Sequence, residues 1–455
     1  MKFDTLTLPP SLLQSAATLG YTDMTEIQCA ALPPMLNGDD VLAQARTGSG
    51  KTAAFGLALL TRLHAEQGRL QTLVLCPTRE LADQVSKEIR GLARFIPNIK
   101  VSRLCGGVPV RSQLASLVHE PHIVVGTPGR IQDLIDREAL RLDAVHCVIL
   151  DEADRMLDMG FLDAITSILG KTPEARVTWM FSATYPVEIR AISTRFQNKP
   201  IEIMLPSQHD ESVIRQCFYA IEADAKAEAI VTLLLEHQPA SCLIFCNTKL
   251  EVRELSDFLC ARGLSAIALH GDLEQRERDE TLLQFANGSR RILVATDVAA
   301  RGLDIKALPM VIAQQLPTDA DTHVHRIGRT GRSGETGLAI SLVASREMVR
   351  VAAIENAAGA PIEWRRLPGR GRALSMPDAA MKTLLIDAGK QDKLRPGDIL
   401  GALTGEAGLQ GSQIGRIDLF PTRAYVAIQH DLLDHALARL RAGKIKGRNF
   451  RVRKL

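Results

Sequence analysis

The side chains most suited to chemistry in this sequence are Lys51, Asp151 and Glu152. Ala45-Arg46-Thr47-Gly48-Ser49-Gly50-Lys51-Thr52 is a glycine-rich turn that follows a short apolar run and opens a helix-forming one. Gly48 and Gly50 let backbone N–H groups turn inward onto phosphate oxygens, and the helix start adds its partial positive charge. Arg46, Thr47, Gly48, Ser49 and Gly50 would line the phosphates. Lys51 would reach the outer two, and the Thr52 hydroxyl would hold Mg²⁺. The strict pattern begins with Gly, where this chain has Ala45. Asp151-Glu152-Ala153-Asp154 follows the apolar run 147–150. At such a strand end, Asp151 would bind Mg²⁺ through water and Glu152 would position and activate the attacking water. Four acidic-helix residues alone could be a solvated helix start, but the glycine-rich turn upstream gives them a phosphate to work on.

These residues need strands that end beside one another. Apolar runs at 40–44, 72–76, 122–125, 147–150 and 178–181 form one set; 242–245, 266–269, 291–294, 311–313 and 338–341 form a second. Helix-length segments separate them. Continuous apolar strands alternating with helices predict parallel sheets covered on both faces, with ligands at the carboxyl ends of the strands. The expected fold class is α/β: two tandem RecA-like parallel-sheet domains followed by a small α+β, RRM-like (split βαβ) domain. Residues 1–205 form the first lobe, 206–212 a linker, 213–364 the second lobe, 365–378 an Arg/Gly/Pro linker and 379–455 the small domain. In the last of these the pattern predicts strand 383–386, helix 396–403, strands 415–419 and 424–428, helix 432–441 and strand 449–453.

Charge is divided unevenly. The net charge is +3, yet residues 365–455 hold 18 lysines and arginines against 8 acids, leaving residues 1–364 at −7. A basic tail on an acidic body points to a polyanion partner for the tail. No apolar run approaches the ~18 residues needed to span a bilayer. The first residues lack the features of a secretion signal. Eight cysteines without a Cys-x-x-Cys pair fit reduced, buried thiols. A cytoplasmic monomer without membrane contact is expected.

Taken in order, the motifs resemble those of the DEAD-box RNA helicases from residue 1 to about 360. The resemblance implies ATP as nucleotide and Mg²⁺ as cofactor, with Phe3 stacking on adenine and Gln28 hydrogen-bonding its edge. Segments 77–81, 106–107 and 127–130 imply RNA contacts at Arg79, Gly107, Thr127 and Arg130. In the second lobe, segments 245–248, 275–278 and 295–304 match; they imply RNA contacts at Arg278 and Thr296 and a ribose contact at Asp304. His325-Arg326-Ile327-Gly328-Arg329-Thr330-Gly331-Arg332 implies that Arg329 and Arg332 act as arginine fingers on the γ-phosphate. Coupling of hydrolysis to strand separation is implied for Asp154, Ser182, Thr184 and His325. Residues 312–317 depart from the family, which usually has an aromatic and an Asp before this Leu316-Pro317.

The linker and small domain are similar to those of the DbpA type within that family. This implies RNA as partner, in particular a hairpin of large-subunit (23S) ribosomal RNA in pre-50S particles, and a role in ribosome assembly. The usual RRM motif is poorly kept, and Tyr425 is the one aromatic in 423–428. RNA contacts are therefore expected at Arg448, Arg451 and Arg453, within a 441–455 segment that carries seven lysines and arginines and no acid. Two other readings are a DNA helicase and an ATP-gated RNA clamp with little unwinding. The presence of Lys51, Glu152, Arg329 and Arg332 favours turnover.

Overall fold

The computed structural model describes residues 1–45, 48–185, 187–204, 214–300, 308–331, 336–358, 361–369, 375–406 and 408–455. Arg46, Thr47, Asp304, Arg332, the linker 206–212 and residues 370–374 of the second linker lie outside the described residues.

The first sheet contains β1 (Val41–Gln44), β2 (Thr72–Leu75), β3 (Val101–Leu104), β4 (Ile123–Gly126), β5 (Cys147–Asp151), β6 (Val177–Ser182) and β7 (Ile201–Met204). All pairs are parallel, in the order β3-β4-β2-β5-β6-β1-β7. Side chains alternate across a strand, so two cores form. Val41, Val74, Val125, Ile149 and Phe181 enter one, while Leu42, Leu75, Val124, Leu150 and Met180 enter the other. Each fully buried aliphatic of this kind contributes ~1.5–3 kcal/mol. Helices on both faces supply the cover, which is why the central strands read as unbroken apolar runs.

The second sheet contains β8 (Ile214–Ala220), β9 (Cys242–Cys246), β10 (Ala266–Leu269), β11 (Ile292–Thr296), β12 (Met310–Ala313), β13 (Gly337–Val343) and β14 (Trp364–Arg365). It too is parallel, in the order β10-β11-β9-β12-β13-β8-β14. The departing segment 312–317 is well tied. The Cys246 thiol donates to Gln314 Oε1 at 2.8 Å, and Leu316 N–H donates to Glu347 at 3.1 Å.

The third sheet is antiparallel: β16 (Ile414–Leu419), β17 (Ala424–Gln429), β15 (Met381–Ile386) and β18 (Val452–Lys454), in that spatial order. Helices Pro396–Gly401 and Leu433–Ala442 cover one face. The expected β-α-β-β-α-β order holds, with boundary corrections; the first strand starts at Met381 rather than 383. The first helix passes into a wider turn at Ala402–Glu406, and the last strand starts at Val452 rather than 449. The chain divides into two compact units, one built on the first sheet and one on the second and third. Among the described residues no helix is long and apolar enough to cross a membrane, and all eight cysteines are free.

One buried base makes the second lobe sensitive to acid. His323 is 3% exposed, its ring packs on Phe218, and Nε2 faces Gln216 Oε1 at 3.3 Å. Burial, aided by the Arg326 guanidinium, pulls its pKa from 6.5 down to about 4. The unfolded chain therefore binds the extra proton first as pH falls. The stability that neutral His323 contributes is complete above ~6.5 and is lost progressively toward pH 4, by ~3 kcal/mol. Denaturant unfolding between pH 4 and 7 should show this slope in the second-lobe transition, and His323→Gln should flatten it. An unchanged slope in that variant would assign the acid sensitivity elsewhere.

Candidate functional site: the carboxyl ends of the two parallel sheets

In the first sheet the chemistry divides along the carboxyl edge. β1 and β5 end in the candidate phosphate residues, and β6 between them ends in the candidate coupling residues Ser182 and Thr184; β2, β4 and β3, on one side, end in the candidate RNA residues.

The phosphate side begins with backbone shape. Gly48 and Gly50 have φ of 84° and 88°, a left-handed region that glycine enters without Cβ strain. The helix Lys51–Thr61 starts directly after them and is buried almost all round, so its N-terminus is held firmly. A side chain at Gly50 would also collide with Gln28, whose Nε2 lies 2.6 Å from where a Cβ would sit. Gln28 is 4% exposed; its Nε2 donates to Gly50 O at 3.0 Å and its Oε1 accepts from Thr25 N at 2.9 Å. The expected base-reading residue is thus also a brace between the loop and the helix Glu26–Asn37. Phe3 lies in the first-lobe core at 5% exposure, packed as a core aromatic.

Lys51 Nζ sits 2.7 Å from Asp151 Oδ1 and 3.8 Å from Glu152 Oε1. Burial works against the Lys51 ammonium, but the two carboxylates outweigh it and hold its pKa above the ordinary lysine value. Asp151 is fully buried, and its Oδ2 has no hydrogen-bond partner among the described residues. A hard oxygen with unused lone pairs fits Mg²⁺; Thr52 follows Lys51, the Asp151 partner, in the first turn of the phosphate helix. Glu152 adopts φ 54°, a conformation that costs a non-glycine residue ~1–3 kcal/mol. The sharp strand-to-helix turn at Glu152 places it beside Lys51, and Arg155 Nη1 holds its Oε2 at 3.1 Å.

Asp154 links this turn to β6. Its Oδ2 accepts from Ala183 N, Thr184 N and Thr184 Oγ1 at 3.0, 3.0 and 3.1 Å. Asp154 N donates in turn to Ser182 Oγ at 3.3 Å, and Ser182 Oγ donates to Thr184 O at 2.6 Å. The expected coupling residues Asp154, Ser182 and Thr184 therefore form one network; His325 lies in the second lobe on the helix Ala320–Ile327.

On the RNA side, the Arg79 guanidinium lies so close to Gly106 and Gly107 that a Cβ on Gly107 would overlap it; Gly107 also has φ 72°. Arg130 is held more tightly than a free phosphate ligand: Nη1 donates to Val108 O at 3.1 Å, and Nε lies 3.6 Å from Asp133. Thr127 occupies the N-cap position of the helix Pro128–Asp136, makes no side-chain hydrogen bond to it, and is 8% exposed. These four residues share one sheet end; Arg79 and Arg130 are both half-buried, and Arg130 is partly a structural clamp.

In the second sheet, Thr296 ends β11 and its Oγ1 accepts from Ala299 N at 3.3 Å; Arg278 Nη2 donates to Ala299 O at 2.7 Å. The two expected RNA residues thus meet at one turn. The residue that sequence reasoning left without a role is Arg326. It is 2% exposed and donates twice to Asp297 at 2.7 Å, to Gln315 O at 2.6 Å and to Asn247 Oδ1 at 2.8 Å, above the Phe245 ring. It pins the ends of β9, β11 and β12 together beneath the helix that leads to Arg329. Arg329 is 4% exposed.

In the third sheet Arg448 and Arg451 are exposed, while Arg453 lies 3.7 Å from Asp387. Tyr425 is 4% exposed and is not presented to solvent as a stacking platform.

Residues 25–192 match the DEAD/DEAH box helicase family, 225–334 the helicase conserved C-terminal domain and 383–454 the DbpA RNA binding domain. The chain is 51% identical over 454 residues to the ATP-dependent RNA helicase DbpA of Escherichia coli (strain K12), covering 100% of this chain and 99% of the relative. It is 42% identical over 349 residues to the ATP-dependent RNA helicase CshA of Limosilactobacillus reuteri, covering 76% and 70%. Among solved structures, S. cerevisiae Dbp5 bound to RNA and ADP BeF3 is similar with TM-score 0.73 and 31% identity, covering 81% of this chain and 95% of that one. Mss116p bound to ssRNA and AMP-PNP is similar with TM-score 0.73 and 26% identity, covering 81% and 80%.

Proposed function

The chain belongs to the DEAD-box family of ATP-dependent RNA helicases, of the DbpA type, and from that premise we propose that it opens short RNA duplexes on large-subunit (23S) ribosomal RNA during assembly of the 50S particle. The observation that carries the reading is the division of one sheet edge into a phosphate half and an RNA half, with Asp154 tying the hydrolytic turn to Ser182–Thr184. Bound Mg²⁺, held by Asp151 and the Thr52 hydroxyl, would neutralise charge on the β- and γ-phosphates. Lys51 exchanges its Asp151 carboxylate partner for phosphate oxygens. Glu152 accepts a proton from the attacking water. Arg329 and Arg332 stabilise charge on the γ-phosphate when both ATP and RNA are bound, and Gln28 contacts the adenine edge.

Opening is local. Base steps are worth ~1–2 kcal/mol each, judging by DNA, so a few pairs are within reach of strand bending by the core, and the rest of a short helix melts unaided. The basic third domain supplies address. A sequence-blind core binding RNA with Kd ~10⁻⁵ M would be ~99% occupied at an effective concentration of about 1 mM.

The test is RNA-stimulated ATP turnover with 23S fragments that contain or lack a candidate hairpin. The full chain should show a KM for hairpin-bearing RNA at least ~10-fold lower, and deletion of residues 373–455 should abolish the preference while leaving a slow ATPase. Equal KM for both RNAs in the full chain would refute the addressing role.

A further inference from the structure

The amino ends of the first sheet carry cations that the hydrolytic site at its carboxyl ends does not use. A cavity of about 510 Å³ lies there. One wall is the end of the helix Lys51–Thr61, with Arg62 and His64; another is the pair of segments that lead into β5 and β6, with His146 and Arg176. The opposite ends of the same elements hold Lys51, Asp151 and Ser182. The 11 residues of that helix, at ~1.5 Å each, put about 16 Å between the cavity and Lys51. Arg62 and Arg176 are half-buried, and the Nε of each is shielded from water with no hydrogen-bond partner among the described residues. Neither arginine pairs with a carboxylate among those residues. Burial pulls the Arg176 guanidinium below its ordinary pKa despite the charge of nearby Asp40. Asp40 is occupied elsewhere: its two oxygens accept from Thr178 N and Asn198 N at 2.6 Å each. Two partly desolvated charges at one cavity, without counterions, are costly unless a ligand completes them.

The groups are also held in place. The Arg62 guanidinium lies against Gly38, where a Cβ would come within 2.8 Å of Nη1. Arg176 Nη1 donates to Pro173 O at 2.7 Å. Gln71, 1% exposed, ties both histidine segments: Oε1 accepts from His64 N at 2.9 Å, Nε2 donates to His64 O at 2.7 Å, and its backbone O accepts from His146 N at 3.0 Å. The two imidazoles stand edge to face with centroids 6.4 Å apart. Burial, with the Arg62 and His64 charges adding, lowers the His146 pKa, so that ring is a neutral hydrogen-bonding group.

We propose that this cavity binds a small phosphomonoester, at a site separate from the nucleotide pocket. Two guanidiniums match the charge of a dianion. They come from two walls, which suits the three oxygens of a tetrahedral phosphate better than the two coplanar oxygens of a carboxylate. The volume falls within the range of small-molecule sites and leaves room for an organic group beside the phosphate.

The test titrates the full chain calorimetrically with glucose 6-phosphate while saturating ADP and Mg²⁺ occupy the nucleotide pocket. Saturable one-to-one binding is expected. Arg62→Gln with Arg176→Gln should weaken it at least ~10-fold, the loss that follows from removing charge-assisted hydrogen bonds. Methyl phosphate should compete with the sugar phosphate, and dimethyl phosphate, which carries a single charge, should compete at least ~10-fold more weakly. In the wild-type chain, histidine-ring ¹⁵N spectra should show the His64 and His146 signals moving along the same binding curve while His323, in the second lobe, stays put. No saturable binding by ~10 mM, a diester that competes as well as the monoester, or a Kd unchanged in the double variant overturns the site. So does a wild-type titration that moves other histidine signals and leaves those of His64 and His146 in place. The spectra and the ester comparison need no substitution, so they decide the matter even where the double variant fails to fold.

Discussion

Replacing Glu152 with glutamine is expected to lower RNA-stimulated ATP turnover ~10²–10⁴-fold, the range for losing a positioned general base. A carboxamide keeps the size of Glu152 and its place beside Arg155 but cannot take a proton from water. The surrounding geometry limits collateral damage. Lys51 keeps its 2.7 Å partner in Asp151, and Asp154 keeps its contacts with β6. Nucleotide and RNA binding should therefore change little, measured by direct titration with a fluorescent ATP analogue and a labelled single strand. The strained φ at Glu152 supports a functional reading: a left-handed non-glycine residue persists where its surroundings hold it there. Near-wild-type turnover in the variant would remove Glu152 from the chemistry.

Arg329→Ala is expected to cost ~10³–10⁵ in turnover, as loss of an arginine finger does. Lysine should not restore it, because a point charge lacks the planar fork that meets two phosphate oxygens. The backbone at this position is held independently of the side chain: Arg329 N donates to Arg326 O, and Arg329 O accepts from Leu308 N, each at 3.2 Å. Truncation therefore leaves the local chain path in place, and the effect should appear in kcat with ATP affinity nearly unchanged. Comparable losses in ATP binding and kcat would make Arg329 a ground-state ligand rather than a finger.

The two arginines of one short segment show what a sequence does and does not disclose. Arg326 and Arg329 are alike on paper. Arg326's partners Asn247, Asp297 and Gln315 come from the ends of three separate strands, and only the folded sheet brings them together. The same limit applies to Tyr425, whose partner Glu280 lies 145 residues away. Gln28 was legible as functional through family resemblance, but its brace to Gly50 was not. Central strands such as β2 and β5 were readable because both faces are buried and every residue is apolar or nearly so. β3, β7, β8 and β14 were missed. β3, β7 and β14 are edge strands, and β8 has only the two-residue β14 outside it. An edge strand tolerates polar or exposed positions, as Val101-Ser-Arg-Leu104 and the largely exposed Ile201–Met204 show. The phosphate loop and the Asp151–Asp154 turn were legible because their chemistry is local: glycines before a helix, acids after a strand.

The central claim is that hydrolysis needs charge supplied by the second lobe to a nucleotide held by the first. The most direct measurement is a crystal structure of the chain loaded with single-stranded RNA and a non-hydrolysable ATP analogue. The account predicts the Arg329 guanidinium within hydrogen-bonding distance, ~3 Å, of a γ-phosphate oxygen. A fully loaded complex with Arg329 turned away from the triphosphate would contradict it.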